Sequence, residues 1–380
     1  MAKINIRSPF YVNLTATRLT SVDMELWIYT GTQTTDRTSS NGSFFQLTST
    51  AVYTYASNTS NATFEVSEIA KDFIQQNFTG DYYNNNVWID YRTRNYIGGV
   101  AQSFTSWSSY RGFYGYGYFQ DGANPSLELG WLQSNLIILK SPTEPLKIPV
   151  DTELVNNVSF YENGVLVYSH DVTSSVESDQ QIEYIQSDGS SFVDLESRVI
   201  ADGGVYESSY CIDAFEGSAN FDADTVYINS ISGDVTVVKI KNIEECKYEP
   251  MKLTFENRFG ALQDLWFFKR TNKTLSTKKE MFKRNISVNG AYNVSNHQEK
   301  ILTKNGSEKL SLNTGFYPEI YNDIFKEVQL SEDVWITINN QVLPINVESS
   351  GVEYKTQLND KLINYTVDVS FAFDTINNIR

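Results

Sequence analysis

The residues that could do chemistry are few and scattered in this 380-residue chain. It holds two histidines, His170 and His297, and two cysteines, Cys211 and Cys246. Neither histidine lies in an HExxH motif, a Cys/His cluster or a nucleophile motif, and both lie beside polar, turn-like residues. The sequence also has no Gly-rich phosphate loop and no GxSxG elbow. We therefore expect no catalytic residue, no metal ligand and no cofactor, and we expect that the protein is not an enzyme.

Carboxylates are abundant, with 46 Asp and Glu residues. A glycosidase needs two of them held roughly 5–10 Å apart in a cleft, and no specific pair stands out. The Asp-rich turns "FDADT" (221–225) and "ISGD" (231–234) resemble loose calcium loops, but the full ligand spacing with its final Glu is missing. A structural calcium ion in the middle third stays an alternative.

The net charge of −16 is distributed unevenly along the chain. Residues 1–145 carry 9 basic and 11 acidic groups, residues 146–250 carry 5 and 20, and residues 251–380 carry 16 and 15. Nearly all the excess negative charge, −15, therefore lies in the middle third. Such a block repels nucleic acid and suits a solvated face, a basic partner surface or divalent cations.

A basic segment interrupts this acidic protein at residues 269–284, "KRTNKTLSTKKEMFKR", with seven basic groups and one acid. A solvated, mobile loop is one interpretation. Nucleic-acid contact is disfavoured because the segment holds a single aromatic residue, Phe282, and no series of stacking rings between its basic residues. The third interpretation is docking onto an acidic surface, which the middle third of another copy supplies. Copies arranged head-to-tail in this way would close into a ring. The basic residues are Lys269, Arg270, Lys273, Lys278, Lys279, Lys283 and Arg284.

The dense stretch before it, "ENRFGALQDLWFFKR" (256–270), predicts a turn at 257–260 and then a strand with bulky residues on both faces. A strand that is apolar on both faces must be covered on both. A second sheet, a helix or a neighbouring subunit could provide the cover. We expect Trp266 and Phe268 to extend the basic segment as one subunit interface.

The aromatic-glycine stretch "WSSYRGFYGYGYFQDG" (107–122) has two interpretations. Exposed, its rings would form a stacking surface for sugars or bases, made by Trp107, Tyr110, Tyr114, Tyr116 and Tyr118. Buried, its glycines would let another backbone approach closely. Packing is the favoured interpretation.

The elements that must position these residues are mainly strands. The chain has 24 Tyr and 22 Phe, and its many Asn, Ser and Thr residues favour turns over helix. Alternating runs flank Asn163-Gly164 and Ser232-Gly233-Asp234, which predicts two hairpins. Ser67 is expected to cap one short helix, and residues 318–333 predict a second. The fold class is mainly β, multi-domain and β-sandwich-like, with a few short helices.

Prolines and the change in charge predict the domain boundaries. "SPTEPLKIP" (141–149) is the linker candidate, and a second boundary is expected near Pro250. The predicted domains are 1–145 with one short helix, the acidic 146–250, and 251–380 with one helix. The start has no apolar stretch of signal-peptide length, and no later run reaches membrane-spanning length. The two cysteines are expected to be unpaired core residues.

Several segments together resemble uncharacterised virion structural proteins of tailed bacteriophages, particularly those infecting Bacteroidota. They are "KINIRSPFYVNLT", "LTSVDMELWIYTG", "YGYGYFQDGANPSL", "KLTFENRFGALQDLWFFKR", "LSLNTGFYPEIYNDIFKEVQLSEDVWI" and "LNDKLINYTVDVSFAFDTINNIR". The likeness covers most of the chain and is weakest in the middle third.

This resemblance implies a multi-copy structural protein of the tail, neck or baseplate, forming a ring or collar in a virion that assembles in the host bacterial cytoplasm. Its partners would be its own copies and other virion proteins, with no membrane and with nucleic acid unexpected. A receptor- or glycan-binding tail protein using residues 107–119 is the rival. A polysaccharide-degrading tail enzyme would need a repeat pattern and an acid pair, which this sequence lacks.

Overall fold

A computed structural model describes residues 2–31, 33–38, 42–54, 59–74, 77–82, 86–125, 129–142, 144, 146–172, 182–186, 191–192, 223–287, 289–348 and 362–376. The chain divides into two compact units. Unit 1 comprises residues 1–242 and 256–264, and unit 2 comprises residues 243–255 and 265–380. The three predicted domains are a finer division and stay a prediction.

Unit 1 is built from four sheets. Its strands are β1 (Ala2–Asn5), β2 (Tyr11–Ala16), β3 (Leu19–Tyr29), β4 (Ser43–Thr50), β5 (Val52–Thr54), β6 (Thr59–Glu65), β7 (Asn86–Ile97), β8 (Val100–Ala101), β9 (Ser108–Phe113), β10 (Ile137–Lys140), β11 (Lys147–Asp151), β12 (Val155–Glu162), β13 (Val165–Asp171), β14 (Ile182–Gln186), β15 (Ser191–Phe192), β16 (Thr225–Ser230) and β17 (Val235–Asn242). The sheet orders are β1-β9-β7-β3-β4 with β8 beside β7, β2-β6-β5, β10-β17-β16-β12-β13, and β11-β14-β15. All pairings are antiparallel except β1 with β9 and β10 with β17.

Two separate sandwich-like cores lie within unit 1. In the first, Leu26 and Ile28 of the large sheet share one buried cluster with Phe64 of the β2-β6-β5 sheet. In the second, Phe160 of the five-stranded sheet shares a cluster with Ile148 of the β11-β14-β15 sheet. Each core forms because alternate residues of facing strands point inward. The predicted mainly β, sandwich-like fold is confirmed.

The prediction that residues 141–149 form a linker is wrong, because part of this segment belongs to the second core. Residues 147–151 form β11, and Ile148 and Val150 are fully buried. Pro149 is buried too, and it sits within the strand. The prolines punctuate the sequence here, but the apolar residues between them are core residues.

A short helix, α1 (Ser67–Lys71), follows β6 in unit 1, where a helix was expected. Its cap differs from the prediction. The Glu65 carboxylate, and not the Ser67 hydroxyl, accepts from the first backbone N–H groups, at 2.8 Å from Ser67 N and 3.3 Å from Glu68 N. The same carboxylate accepts from Phe10 N at 3.3 Å. Glu65 therefore ties the start of α1 to the chain before β2.

Unit 2 is built on a seven-stranded antiparallel sheet in the order β19-β18-β22-β23-β24-β21-β20. Its strands are β18 (Met251–Glu256), β19 (Leu262–Phe267), β20 (Asn272–Lys283), β21 (Glu299–Pro318), β22 (Val334–Ile338), β23 (Gln341–Val347) and β24 (Leu362–Phe371). A 3₁₀ turn (Glu319–Tyr321) leads into helix α2 (Asn322–Leu330), as the sequence predicted. The α2 ring of Phe325 stacks on Tyr365 of β24 at 3.8 Å, so the helix covers one face of the sheet.

Both predicted hairpins are present. Asn163 (φ 52°) and Gly164 (φ 80°) make the two-residue turn between β12 and β13. Left-handed backbone at both positions gives the turn the twist that its strands need. The β16–β17 hairpin turns at residues 231–234. Cys246 is exposed, which corrects its expected core position, and Cys211 lies outside the described residues.

Candidate functional site

The basic segment belongs to a long two-stranded ribbon in unit 2. Strand β20 pairs with residues 299–311 of β21. We name residues 272–304 the basic ribbon. All of its described residues except Ile286 are exposed. The solvated-loop interpretation is therefore corrected, because a regular strand carries most of the basic residues.

The register of the ribbon places two lysines face to face. Lys279 of β20 lies directly opposite Lys304 of β21, and Lys278 lies opposite Asn305. Like charges directly opposite each other on a sheet are destabilising. The arrangement therefore favours a negatively charged group from outside the ribbon.

One other lysine of the ribbon and one just beyond it already have carboxylate partners. Lys273 pairs with Glu308 at 2.6 Å, and Lys309 pairs with Glu348. Lys309 holds the pKa of Glu348 below its usual value, chiefly through their hydrogen bond. Within the described parts of the chain, Lys278, Lys279 and Lys304 make no such pair. The ribbon holds seven basic and two acidic residues, a net charge of +5.

Large apolar side chains are exposed along the same ribbon. Val294 at the loop is 90% exposed, and Met281 and Ile301 lie opposite each other beside the lysine pair. Exposed apolar side chains gathered in one place mark contact sites more often than scattered ones do. The exposed apolar residues of the ribbon are Leu275, Met281, Phe282, Tyr292, Val294, Ile301 and Leu302.

Trp266 and Phe268 are not part of this exposed surface. They are 6% and 2% exposed, so the structure corrects their assignment to a subunit interface. The Phe268 ring stacks on that of Tyr317, with ring centroids 6.3 Å apart. The Tyr317 hydroxyl donates to the Trp266 carbonyl at 2.5 Å. Phe267 meets Phe325 of α2 edge-on. The apolar block is thus a core strand, and α2 covers one of its faces.

The sequence-predicted basic residues separate into two groups. Lys273, Lys278, Lys279, Lys283 and Arg284 lie on the basic ribbon. Lys269 and Arg270 precede it, and Lys269 pairs with Glu245 at 2.6 Å. Sequence reasoning missed Lys300 and Lys304, because their strand begins only after the intervening loop.

The aromatic-glycine stretch is packed inside unit 1, which corrects the predicted aromatic contact surface. Tyr114 and Tyr116 are each 7% exposed. Tyr110 stacks on Tyr91 at 5.4 Å, and Tyr118 lies under the Arg258 guanidinium at 4.6 Å. A Cβ on Gly115 would lie 2.6 Å from the Arg258 carbonyl oxygen. The glycine therefore allows the close backbone approach of the favoured interpretation.

Trp107 belongs to an arginine ladder on the outer face of the β3–β7 sheet. Its ring lies 4.5 Å from the Arg37 guanidinium and 4.8 Å from that of Arg92. Arg92 also pairs with Glu25, and Arg37 pairs with Asp90 at 2.6 Å. Because Arg37 and Arg92 already pair with carboxylates, we assign the ladder a structural role. It holds Trp107, just before β9, on the sheet.

Aspartates of the two Asp-rich turns form hydrogen bonds at the ends of the hairpins. Asp224 accepts from Thr225 Oγ1 and from Asn163 N, both at 2.7 Å, and these bonds lower its pKa. Asp234 accepts from Ser232 Oγ at 2.9 Å. The described residues contain no group of three or more His, Cys, Asp or Glu side chains placed to hold a metal ion. Asp222 and Phe221 lie outside them.

No protein-family model matches the chain, and no curated protein matches it significantly. None of the helices in the described ranges is long and apolar enough to cross a membrane.

Proposed function

We propose that this protein is a structural subunit of a tailed-phage virion, without enzymatic activity. It would form a ring or collar-like assembly in the tail, neck or baseplate through protein–protein contacts. The observation that supports this best is the basic ribbon, whose two paired strands and joining loop are exposed at every described residue except Ile286.

The energetics of the ribbon support a partner protein. A two-stranded ribbon in water is only marginally stable, because it has no core of its own. This one also exposes seven large apolar side chains and opposes two lysines. Contact with another surface would neutralise the lysines and bury the apolar side chains. Burial of apolar area stabilises a contact by roughly 25 cal/mol per Å².

A second copy of the chain carries the opposite charge in its middle third. Residues 146–250 carry 20 acidic and 5 basic groups, against a ribbon of +5. A contact between two different surfaces of the same chain is heterologous, and it closes into a ring when the rotation allows. Other virion proteins with acidic surfaces are further partners in this proposal, and assembly would take place in the host bacterial cytoplasm.

Charge reversal at the lysine pair tests the contact in solution. We expect the double variant Lys279→Glu/Lys304→Glu to dissociate the assembly, as measured by sedimentation velocity on the full chain. Both residues are exposed, so the variant should fold. The matched control is Arg18→Glu/Lys326→Glu, which changes the net charge equally at an exposed and a half-buried site, both outside the ribbon and outside residues 146–250. Unchanged assembly in the ribbon variant, or equal loss in the control, would refute the contact.

A further inference from the structure

A shallow hollow in unit 2 combines an exposed aromatic ring with unpaired polar groups. It lies apart from the lysine pair of the ribbon and is lined mainly by Tyr248, Lys269, Arg270, Asn272, Phe316 and Asn364. With Asn313, whose Oδ1 accepts from Gly315 N, the hollow gathers two aromatic rings, two cations and three amides, a set more typical of a ligand site than of a packing surface.

The backbone of β21 is shaped to present Phe316 in this hollow. The register with β24 shifts between Asn313 and Phe316, and Gly315 adopts φ +77°. Thr314 Oγ1 accepts from Tyr365 N at 3.1 Å and lies 3.2 Å from its carbonyl, which fixes the bulge. As a result Phe316 is 71% exposed, while the next residue, Tyr317, is 1% exposed. Bulges that redirect a side chain are common next to functional sites.

The two cations of the hollow, Lys269 and Arg270, differ in whether they already pair with a carboxylate. Lys269 is neutralised by Glu245, 2.6 Å away, and this bond lowers the pKa of the Glu245 carboxyl. Arg270 has no carboxylate partner in the part of the chain that the structure describes. In the same described part of the chain, the side-chain amides of Asn272 and Asn364 make no hydrogen bond. One guanidinium and two amides therefore remain available beside the Phe316 ring.

We propose that this hollow binds a pyranose sugar that carries a carboxylate. The C–H face of a pyranose is apolar and fits flat against an aromatic ring. The Arg270 guanidinium offers a planar pair of donors, which matches a carboxylate. The amides of Asn272 and Asn364 both donate and accept, as sugar hydroxyls require. This goes beyond assembly, and it does not use residues 107–119.

Titration of the full chain with two sugars tests the site. The probes are methyl β-glucuronide and methyl β-glucoside, which differ only in the carboxylate, and binding is followed by saturation-transfer NMR. We expect saturable binding of the glucuronide and roughly tenfold weaker binding of the glucoside, as for the loss of one charge-assisted hydrogen bond. Phe316→Ala should remove binding of both sugars. Arg270→Gln should remove the preference between them.

The control variant is Phe119→Ala, because Phe119 is a fully exposed phenylalanine of unit 1. It should bind the glucuronide as the natural chain does. Phe316 and Arg270 are exposed, so their variants should keep the natural thermal unfolding curve. Three results would overturn the proposal: neither sugar binds, both bind equally, or Phe316→Ala and Arg270→Gln bind unchanged. Displacement of the sugar by an oligoglutamate peptide at equal concentration would overturn the sugar as the ligand and indicate an acidic peptide.

Discussion

Asp23 shows how one carboxylate joins three strands of unit 1. It accepts from Arg94 at 2.6 Å and Tyr96 at 2.8 Å on β7, and from Thr48 at 2.9 Å on β4. The Arg94 hydrogen bond, which outweighs the opposing effect of burial, holds the pKa of Asp23 below its usual 3.8. A folded-state pKa below the unfolded one stabilises the fold above the unfolded value, and this stabilisation is lost as the pH falls through the folded value.

We therefore expect Asp23→Asn to unfold at lower urea concentration than the natural chain at neutral pH. The difference should shrink as the pH falls below 3.8 and vanish below the lowered folded-state pKa of Asp23, where the natural carboxyl is protonated in the fold as well. Urea titrations monitored by tryptophan fluorescence at several pH values measure this. Asp374→Asn, at an exposed position, is the control and should change little. A difference for Asp23→Asn that stays constant with pH would contradict the proposed ion pair.

Asp151 illustrates the opposite case. Its pKa is raised because burial outweighs the neighbouring Lys3 ammonium, 2.5 Å away. Its ionised form is therefore disfavoured in the fold relative to water, and the cost is absent at low pH, where the group is protonated. Neither shift could be read from the sequence, since Lys3 and Asp151 are 148 residues apart.

At the scale of elements, strands and hairpins were predictable where the period of the side chains is regular. In β24, Tyr365, Val367 and Val369 are buried while Thr366 and Asp368 are exposed, so apolar and polar residues alternate between the two faces of the strand. The turn at Asn163-Gly164 is equally local. The strand at residues 147–151 was not predicted, because the prolines around it indicated a linker. A strand can nevertheless contain a proline where no backbone N–H is needed for pairing.

The candidate site was predictable only in part, and for a physical reason. Charge is a property of the sequence, so the lysine-rich segment was visible. Its strand character depends on pairing with residues 299–311, which no local pattern specifies. The burial of Trp266 and Phe268 likewise depends on contacts with distant residues such as Tyr317.

Gly115 gives a test of packing at this scale. An alanine there would place its Cβ 2.6 Å from the Arg258 carbonyl oxygen and 2.7 Å from Asn5 Oδ1. We expect Gly115→Ala to lower the free energy of unfolding by roughly 1–3 kcal/mol, as overpacking does. Thermal or urea unfolding measures it. The comparison variant is Gly290→Ala, which has open space but φ +80° and should lose less. Unchanged stability of Gly115→Ala would contradict the close backbone approach.

At the scale of the whole molecule, two regions of the chain carry opposite charge. The middle third of the chain carries −15, and the basic ribbon carries +5. Exposed charges attract over a distance of about 8–10 Å at physiological salt and steer two surfaces toward one register. The apolar side chains of the ribbon, Met281 and Ile301 among them, would then provide the buried area of the contact.

Cryo-EM of the intact particle tests the central claim most directly. We expect copies of this chain in a closed ring, with residues 272–304 of each copy against residues 146–250 of its neighbour. We also expect Lys279 and Lys304 to face carboxylates of that neighbour. A particle that lacks the chain, or a ring in which the ribbon is surrounded by solvent, would contradict it.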